Sequence, residues 1–317
     1  MADPADDLDT KAIAATEAFA ILGNETRMDV LRALWEADEP RSFADLRAAV
    51  APNDRGNFSY HLGKLTDHFV RKTGEGYDLR FAGEQVVRAV LTGTITSAPS
   101  LQPAETDERC PYCGATVEMA YEEEVISVRC TECSGVVGGE YPDGAYMHYQ
   151  FPPSGLDGRT REEAIDAAHV LYDSKVAPMM KGICPECAGQ VAISYEICGD
   201  HRVGESGMCP SCDNRFEVWS IFECERCQYS RRSVVWFAAL NHPAVAAFYH
   251  DHGLDEKIPF RKLTWDNARF VERVTGTVVG TEPYRFRVTI PVDEDELVVE
   301  MDDELDVLHV EKSDNLA

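Results

Sequence analysis

The chain has 317 residues and sets 56 acidic against 30 basic side chains, for a formal net charge of −26. That balance excludes a generic basic nucleic-acid coat, and 44% hydrophobic residues exclude a chain too polar to build a core. Single cores stop growing near ~250–300 residues, so the length implies more than one domain.

From Thr16 the apolar residues recur at helical spacing: Phe19 and Leu22; Met28, Leu31 and Leu34; Phe43, Leu46 and Val50; Phe58, Leu62 and Leu65. Four short helices are expected. Asn24 is placed to cap the second, Ser42 with Asp45 the third, and Asn53 or Asp54 the fourth, each oxygen taking an orphan backbone N–H. Val70 to Arg80 then alternates around Gly74 and Gly76, as a β-hairpin does. A fifth helix follows from Gly83 to Leu91, with Val86, Val87, Val90 and Leu91 as its expected buried stripe, a surface suited to dimerisation.

The run Ala20-Ile-Leu-Gly-Asn-Glu-Thr-Arg-Met-Asp-Val-Leu-Arg-Ala-Leu34 resembles the second-helix signature of ArsR-type transcriptional regulators, and Asn57-Phe-Ser-Tyr-His-Leu-Gly-Lys-Leu65 resembles their recognition helix. The likeness covers about the first ninety residues. It implies a winged helix-turn-helix, double-stranded DNA as partner and a homodimer. It also implies that Asn57, Ser59, Tyr60, His61 and Lys64 occupy exposed recognition-helix positions, with Arg71, Lys72 and Arg80 on the wing. The cysteine pair or His/Asp clusters with which that family senses metals are absent here. Local charge agrees with a DNA contact. The stretch from Arg55 to Arg80 is net positive, with Arg55, Lys64, Arg71, Lys72 and Arg80 against Asp67, Glu75 and Asp78.

After a Ser/Pro/Thr-rich segment come Cys110-Pro-Tyr-Cys113 and, sixteen residues on, Cys130-Thr-Glu-Cys133. A two-residue spacer folds each pair into a knuckle, and four thiolates close a tetrahedral sphere around one structural Zn²⁺. A second group holds Cys184/Cys187, Cys198/His201, Cys209/Cys212 and Cys224/Cys227, eight donors for two further ions. Neighbouring units could share an ion, or the first could pair with the third and the second with the fourth. Spacing alone does not choose. Three structural zinc ions are expected in all.

Between the groups, Thr160-Arg-Glu-Glu163 reads as a capping box that opens a helix with Ile165, Ala168, Tyr172, Val176 and Met179 on one stripe. Beyond Val234, Pro243 begins a helix that ends at Gly253, and a further helix spans Asp266 to Val274. Three alternating segments, Tyr284 to Ile290, Glu296 to Met301 and Asp306 to Glu311, read as an antiparallel meander. His250 and His252 lie two apart, off a shared helix face, and are not expected to bind metal.

The expected class is α+β multidomain: a winged helix-turn-helix over 1–95, a linker over 96–108, a zinc ribbon over 109–150, a connector and spacer helix over 151–181, a double zinc region over 182–232 and a C-terminal α/β region over 233–317. Zinc ribbons followed by His-Pro-Ala-Val-Ala-Ala-Phe-Tyr-His-Asp-His-Gly253 and the meander resemble the C-terminal region of haloarchaeal helix-turn-helix regulators. Eight lysines against twenty-two arginines, with carboxylates along the whole length, are likewise similar to proteins of salt-loving archaea. There ~1 M salt cuts the Debye length to ~3 Å and screens self-repulsion.

The longest apolar run, Val234 to Leu240, is far short of a membrane helix, and the start Met1-Ala-Asp-Pro-Ala-Asp-Asp lacks a secretion signal, so a cytoplasmic chain without membrane contact is expected. With no phosphate loop, nucleophile elbow or open metal position in the sequence, the expectation is a DNA-binding regulator rather than an enzyme. Its C-terminal region would meet an effector or the transcription machinery. A second reading is an interaction factor similar to archaeal transcription factor E, which also joins a winged helix to a zinc ribbon.

Overall fold

The chain divides, in a computed structural model that describes residues 13–52, 55–253 and 273–314, into two units, Met1–Ser97 and Ala98–Ala317. The first unit is built from α1 (Ala15–Leu22), α2 (Glu25–Trp35), α3 (Phe43–Val50), α4 (Arg55–Leu65), the hairpin β1 (Val70–Lys72) and β2 (Tyr77–Leu79), and α5 (Phe81–Leu91). The expected caps are in place: the Arg27 N–H donates to Asn24 Oδ1 at 3.2 Å, and the Asp45 N–H to Ser42 Oγ at 3.2 Å. The cap on Asn53 or Asp54 lies outside the described residues. Val30, Leu31, Leu46, Phe58, Leu62 and Leu65 close the core, with Val70 and Leu79 of the hairpin beneath them.

The stripe expected on α5 is corrected in detail. Val87 is buried, but Val86 and Val90 are only half-buried and Leu91 is 56% exposed. The inward face is instead the Gly83/Val87 row. Helix and hairpin approach so closely there that a Cβ on Gly83 would strike the Phe69 carbonyl, whereas Leu91 is the last residue of α5.

The second unit opens with a four-stranded antiparallel sheet, β3 (Leu101–Arg109), β4 (Thr116–Glu122), β5 (Val125–Cys130) and β6 (Ala145–Gln150), in that order. Residues 101–109 therefore correct the linker expected over 96–108. They form the edge strand, where Pro103 needs no ladder partner for its missing N–H. The inner face carries Val117, Met119, Tyr121, Ile126, Val128 and Met147, onto which α6 (Arg161–Met179) lays Ala164, Ile165 and Ala168. The capping box at Thr160 and Glu163 starts that helix as expected. Arg161 then ties it to the sheet, donating to the Met119 carbonyl at 2.7 Å and the Gln102 carbonyl at 3.2 Å.

The far end of α6 enters a second core through Val176 and Met179. A three-stranded sheet, β7 (Val191–Ile197), β8 (Val218–Cys224) and β9 (Ser230–Val234), contributes Val218 and Phe222. Val235 to Leu240 follows as two 3₁₀ turns that bury Val235, Trp236, Phe237 and Leu240, and α7 (Pro243–Asp251) adds Val245, Phe248 and Tyr249.

The meander closes this core with four strands rather than three: β10 (Thr275–Thr281), β11 (Tyr284–Val292), β12 (Asp295–Met301) and β13 (Val307–Asp314). The additional strand, Thr-Gly-Thr-Val-Val-Gly-Thr, has too few bulky residues to read as one. Gly276 lies where a Cβ would stand 2.6 Å from Val235 Cγ1, so close packing explains the missing side chain. The helix expected over Asp266 to Val274 lies almost wholly outside the described residues. No helix among the described residues is long and apolar enough to cross a membrane.

Candidate metal centres and nucleic-acid interface

The eleven cysteines and His201 gather into three four-donor groups, within each of which all ligand atoms lie within 4.8 Å of one another. In the first, Cys110 and Cys113 sit in the turn between β3 and β4, while Cys130 and Cys133 lie at the end of β5. The Cys110 and Cys133 sulfurs are 3.6 Å apart, those of Cys113 and Cys130 3.4 Å apart. The N–H groups of Glu132 and Cys133 each donate to Cys130 Sγ at 3.3 Å.

The second group pairs Cys184/Cys187 with Cys224/Cys227, with sulfurs 3.6 Å (Cys184–Cys227) and 3.5 Å (Cys187–Cys224) apart. The third pairs Cys198/His201 with Cys209/Cys212. The arrangement is nested, first unit with fourth and second with third, and so corrects both pairings inferred from spacing. The cause is the β7–β8 ladder. Val191 is opposite Cys224 at one end and Ile197 opposite Val218 at the other, so each end of the antiparallel pair gathers the two units flanking it. Seven strand residues at ~3.3 Å each hold the ends roughly 20 Å apart, too far for any other sharing.

His201 is prepared as a ligand. Its Nε2–H donates to the Arg215 carbonyl at 3.2 Å, and because a carbonyl only accepts, Nδ1 is left with its lone pair toward Cys212 Sγ, 3.6 Å away. The Arg202 N–H donates to Cys209 Sγ at 3.4 Å.

Each group holds one thiol poised to ionise. Cys133 is held down at about 5, first by the Cys110 thiol donating to it; Cys209 at about 6, first by the Arg202 N–H; Cys224 at about 7, first by the Cys227 N–H. Their neighbours move the other way. Cys110 rises because it donates to Cys133 and is buried, and Cys198 is pushed up to about 12 by desolvation and then by Cys212. Four thiolates cannot share such a space uncompensated, and a divalent cation is what would ionise the rest. A tetrahedron with ~2.3 Å metal–sulfur bonds has edges of roughly 3.8 Å, close to the separations found. The three groups could thus each hold a metal ion, and four protein donors leave no open position for a substrate.

In the first unit, α4 turns Phe58, Leu62 and Leu65 into the core and leaves Asn57, Ser59, Tyr60 and Lys64 exposed. Tyr60 is 58% exposed, with the Lys64 ammonium 5.8 Å from its ring centre. His61 is a correction to the expected contact set. It falls in the 58/61/62/65 row and is 7% exposed, packed edge-on against Tyr60. The Arg55 side chain lies outside the described residues. Arg71 is paired with Asp78 across the hairpin, and Lys72 stands 5.9 Å from the Tyr77 ring centre. Arg80 sits past the hairpin at the N-cap of α5, its guanidinium donating to the Asp67 carbonyl.

The part that carries the three four-donor groups defines the class to which the chain belongs. A family described as a domain of unknown function, DUF7351, matches residues 107–307, and the chain belongs to that family. A second domain of unknown function, DUF7347, matches residues 15–90. The two matches fall on either side of the division between the units. No curated protein and no solved structure matches the chain.

Proposed function

We propose that the chain is a sequence-selective DNA-binding transcriptional regulator, in which the first unit acts as an ArsR-like winged helix and the second is held together by three structural zinc ions. The observation that carries this reading is the outward face of α4. Asn57, Tyr60 and Lys64 follow the i, i+3, i+7 spacing of one helix face and are all exposed, while Phe58, Leu62 and Leu65 anchor the opposite side. Amide, phenol and ammonium groups on a rigid helix suit base edges and phosphates in a major groove. The hairpin of β1 and β2 adds Arg71 and Lys72 where a backbone contact would fall. Leu91 at 56% and Ile95 at 67% exposure offer apolar surface for the homodimer such readers use.

Zinc is the metal favoured by the donor sets, since four thiolates, or three with one imidazole, in tetrahedral array suit it. The groups would hold it structurally, with cysteine thiolates as anionic ligands and His201 Nδ1 as the neutral one.

The test is selection of duplexes from fragmented genomic DNA in molar KCl, followed by anisotropy titrations of the enriched sequence. Wild type should enrich one motif, and the Y60A/K64A double variant should lose the preference while melting at the same temperature. Absence of any enriched motif, with co-purification of RNA polymerase instead, would transfer the chain to the interaction-factor reading.

A further inference from the structure

The second unit contains a cavity of about 350 Å³ between the first sheet, α6 and β9. Its size is at the lower end of small-molecule sites, and its walls are aromatic. Tyr149 and Tyr172 stack with centroids 4.2 Å apart and planes inclined by 17°, forming one wall. Trp219 and Phe237 contribute to the others.

The charged groups at the lining are not equivalent. Arg232 is already engaged, ion-paired with Glu196 at 2.8 Å and stacked 4.0 Å from the Trp219 ring centre. Asp173, the one carboxylate among the lining residues, also has a partner. Arg231 differs. Half-buried, it rests 4.3 Å from the Tyr229 ring centre, interacts with that phenol and donates to the carbonyl of its neighbour Ser230, but it makes no ion pair among the described residues. Two other lining residues carry buried donors without a hydrogen-bond partner, the Tyr146 hydroxyl and the Trp219 indole N–H. The Tyr146 hydroxyl can donate or accept, but the Trp219 indole and the Arg231 guanidinium can only donate, so an occupant that meets them must bring acceptors.

From these observations we infer that the cavity is a binding site for a planar aromatic carboxylate of one or two rings. The rings lie against the Tyr149/Tyr172 wall and the carboxylate is received by Arg231. Aromatic faces favour a flat ring through offset and edge-on contacts, and a guanidinium receives a carboxylate with two parallel hydrogen bonds. A cationic ligand would face Arg231 with its only carboxylate already engaged. The inference goes beyond the DNA-binding reading and does not rest on it, because the cavity is lined only by residues of the second unit.

The experiment titrates the full chain, in the salt that keeps it folded, with 2-naphthoate, its uncharged isostere 2-naphthamide, and octanoate, reading the fluorescence of Trp219 and Trp236, both on the lining. The expected result is one saturable site per chain that binds 2-naphthoate about tenfold more tightly than the amide, as a charge-assisted pair supplies, and more tightly than octanoate. Arg231→Gln, a change at a half-exposed position, should lower naphthoate affinity to that of the amide and leave amide binding and the circular dichroism spectrum unchanged. Equal affinity for acid and amide in the wild type, no saturable binding of either, tighter binding of octanoate, or an Arg231→Gln variant that still prefers the acid would each overturn the inference. The wild-type comparison stands even if the variant misfolds.

Discussion

His61 follows Tyr60 along α4, yet the two side chains have opposite surroundings. Tyr60 is 58% exposed and His61 7%. A helix advances 100° per residue, so neighbours on the chain fall on different faces, and a run such as Asn-Phe-Ser-Tyr-His-Leu can present only some of its polar groups. His61→Ala should therefore destabilise the first unit by about 1–2 kcal/mol, the usual cost of emptying a packed position. In a unit of this size that lowers its melting temperature by several degrees. Tyr60→Ala should leave the transition within a degree or so, because an exposed phenol contributes little packing. Paired thermal melts by circular dichroism check both, and a Tyr60→Ala variant that melts as low as His61→Ala would mean that Tyr60 is part of the core. The polar and apolar positions of α4 were legible as a pattern. What one sequence does not reveal is which polar residue the fold will bury, and His61 is buried.

At the scale of elements, the two-residue-spaced donor units were plain in the sequence because Cys-x-x-Cys constrains its own geometry locally. Their partners were not, because pairing is decided by the strands between them. Residues 191–197 and 218–224 form one antiparallel ladder whose ends lie far apart, and this alone makes the arrangement nested. The consequence can be measured. Replacing Cys187 and Cys227 together by serine removes ligands from a single group, so if each group of the wild type holds one zinc ion, native mass spectrometry should find three ions in the wild type and two in the variant. Either pairing suggested by spacing places those cysteines in different groups, and the double variant would then fall to one ion. The strand Leu101–Arg109 was hidden for another reason. As an edge it is stabilised by one neighbour, so glutamine, proline, threonine and acidic residues suffice there, and its composition matches that of a linker. Strand β10 was hidden because Gly276 must be small where it meets Val235.

Among the described residues, all three four-donor groups that could hold metal lie in the unit Ala98–Ala317. If metal ligation holds the second unit, a chelator should melt its sheets and leave the helical signal of Met1–Ser97. The part of the 222 nm signal that comes from α1 to α5 should persist, while that of α6 and α7 and the near-ultraviolet signal of Trp219 and Trp236 collapse, and readdition of Zn²⁺ should restore them with release of protons as thiols ionise. Simultaneous loss of both signals would show that the first unit depends on the second.

Charge divides the chain as the four-donor groups do. Of the 26 excess negative charges, 21 belong to residues 98–317 and 5 to residues 1–97. Self-repulsion among carboxylates grows as screening weakens, and lowering the salt from ~1 M to ~0.1 M lengthens the Debye length from ~3 Å to ~10 Å. Loss of KCl should therefore lower the melting temperature of the second unit far more than that of the first, and replacing KCl by sucrose should not rescue it, because sucrose screens nothing. Thermal scans of the zinc-loaded chain across that range check the asymmetry. If both transitions move together, or neither moves, the acidic surface is an ordinary solvated one and the likeness to salt-adapted proteins is only compositional.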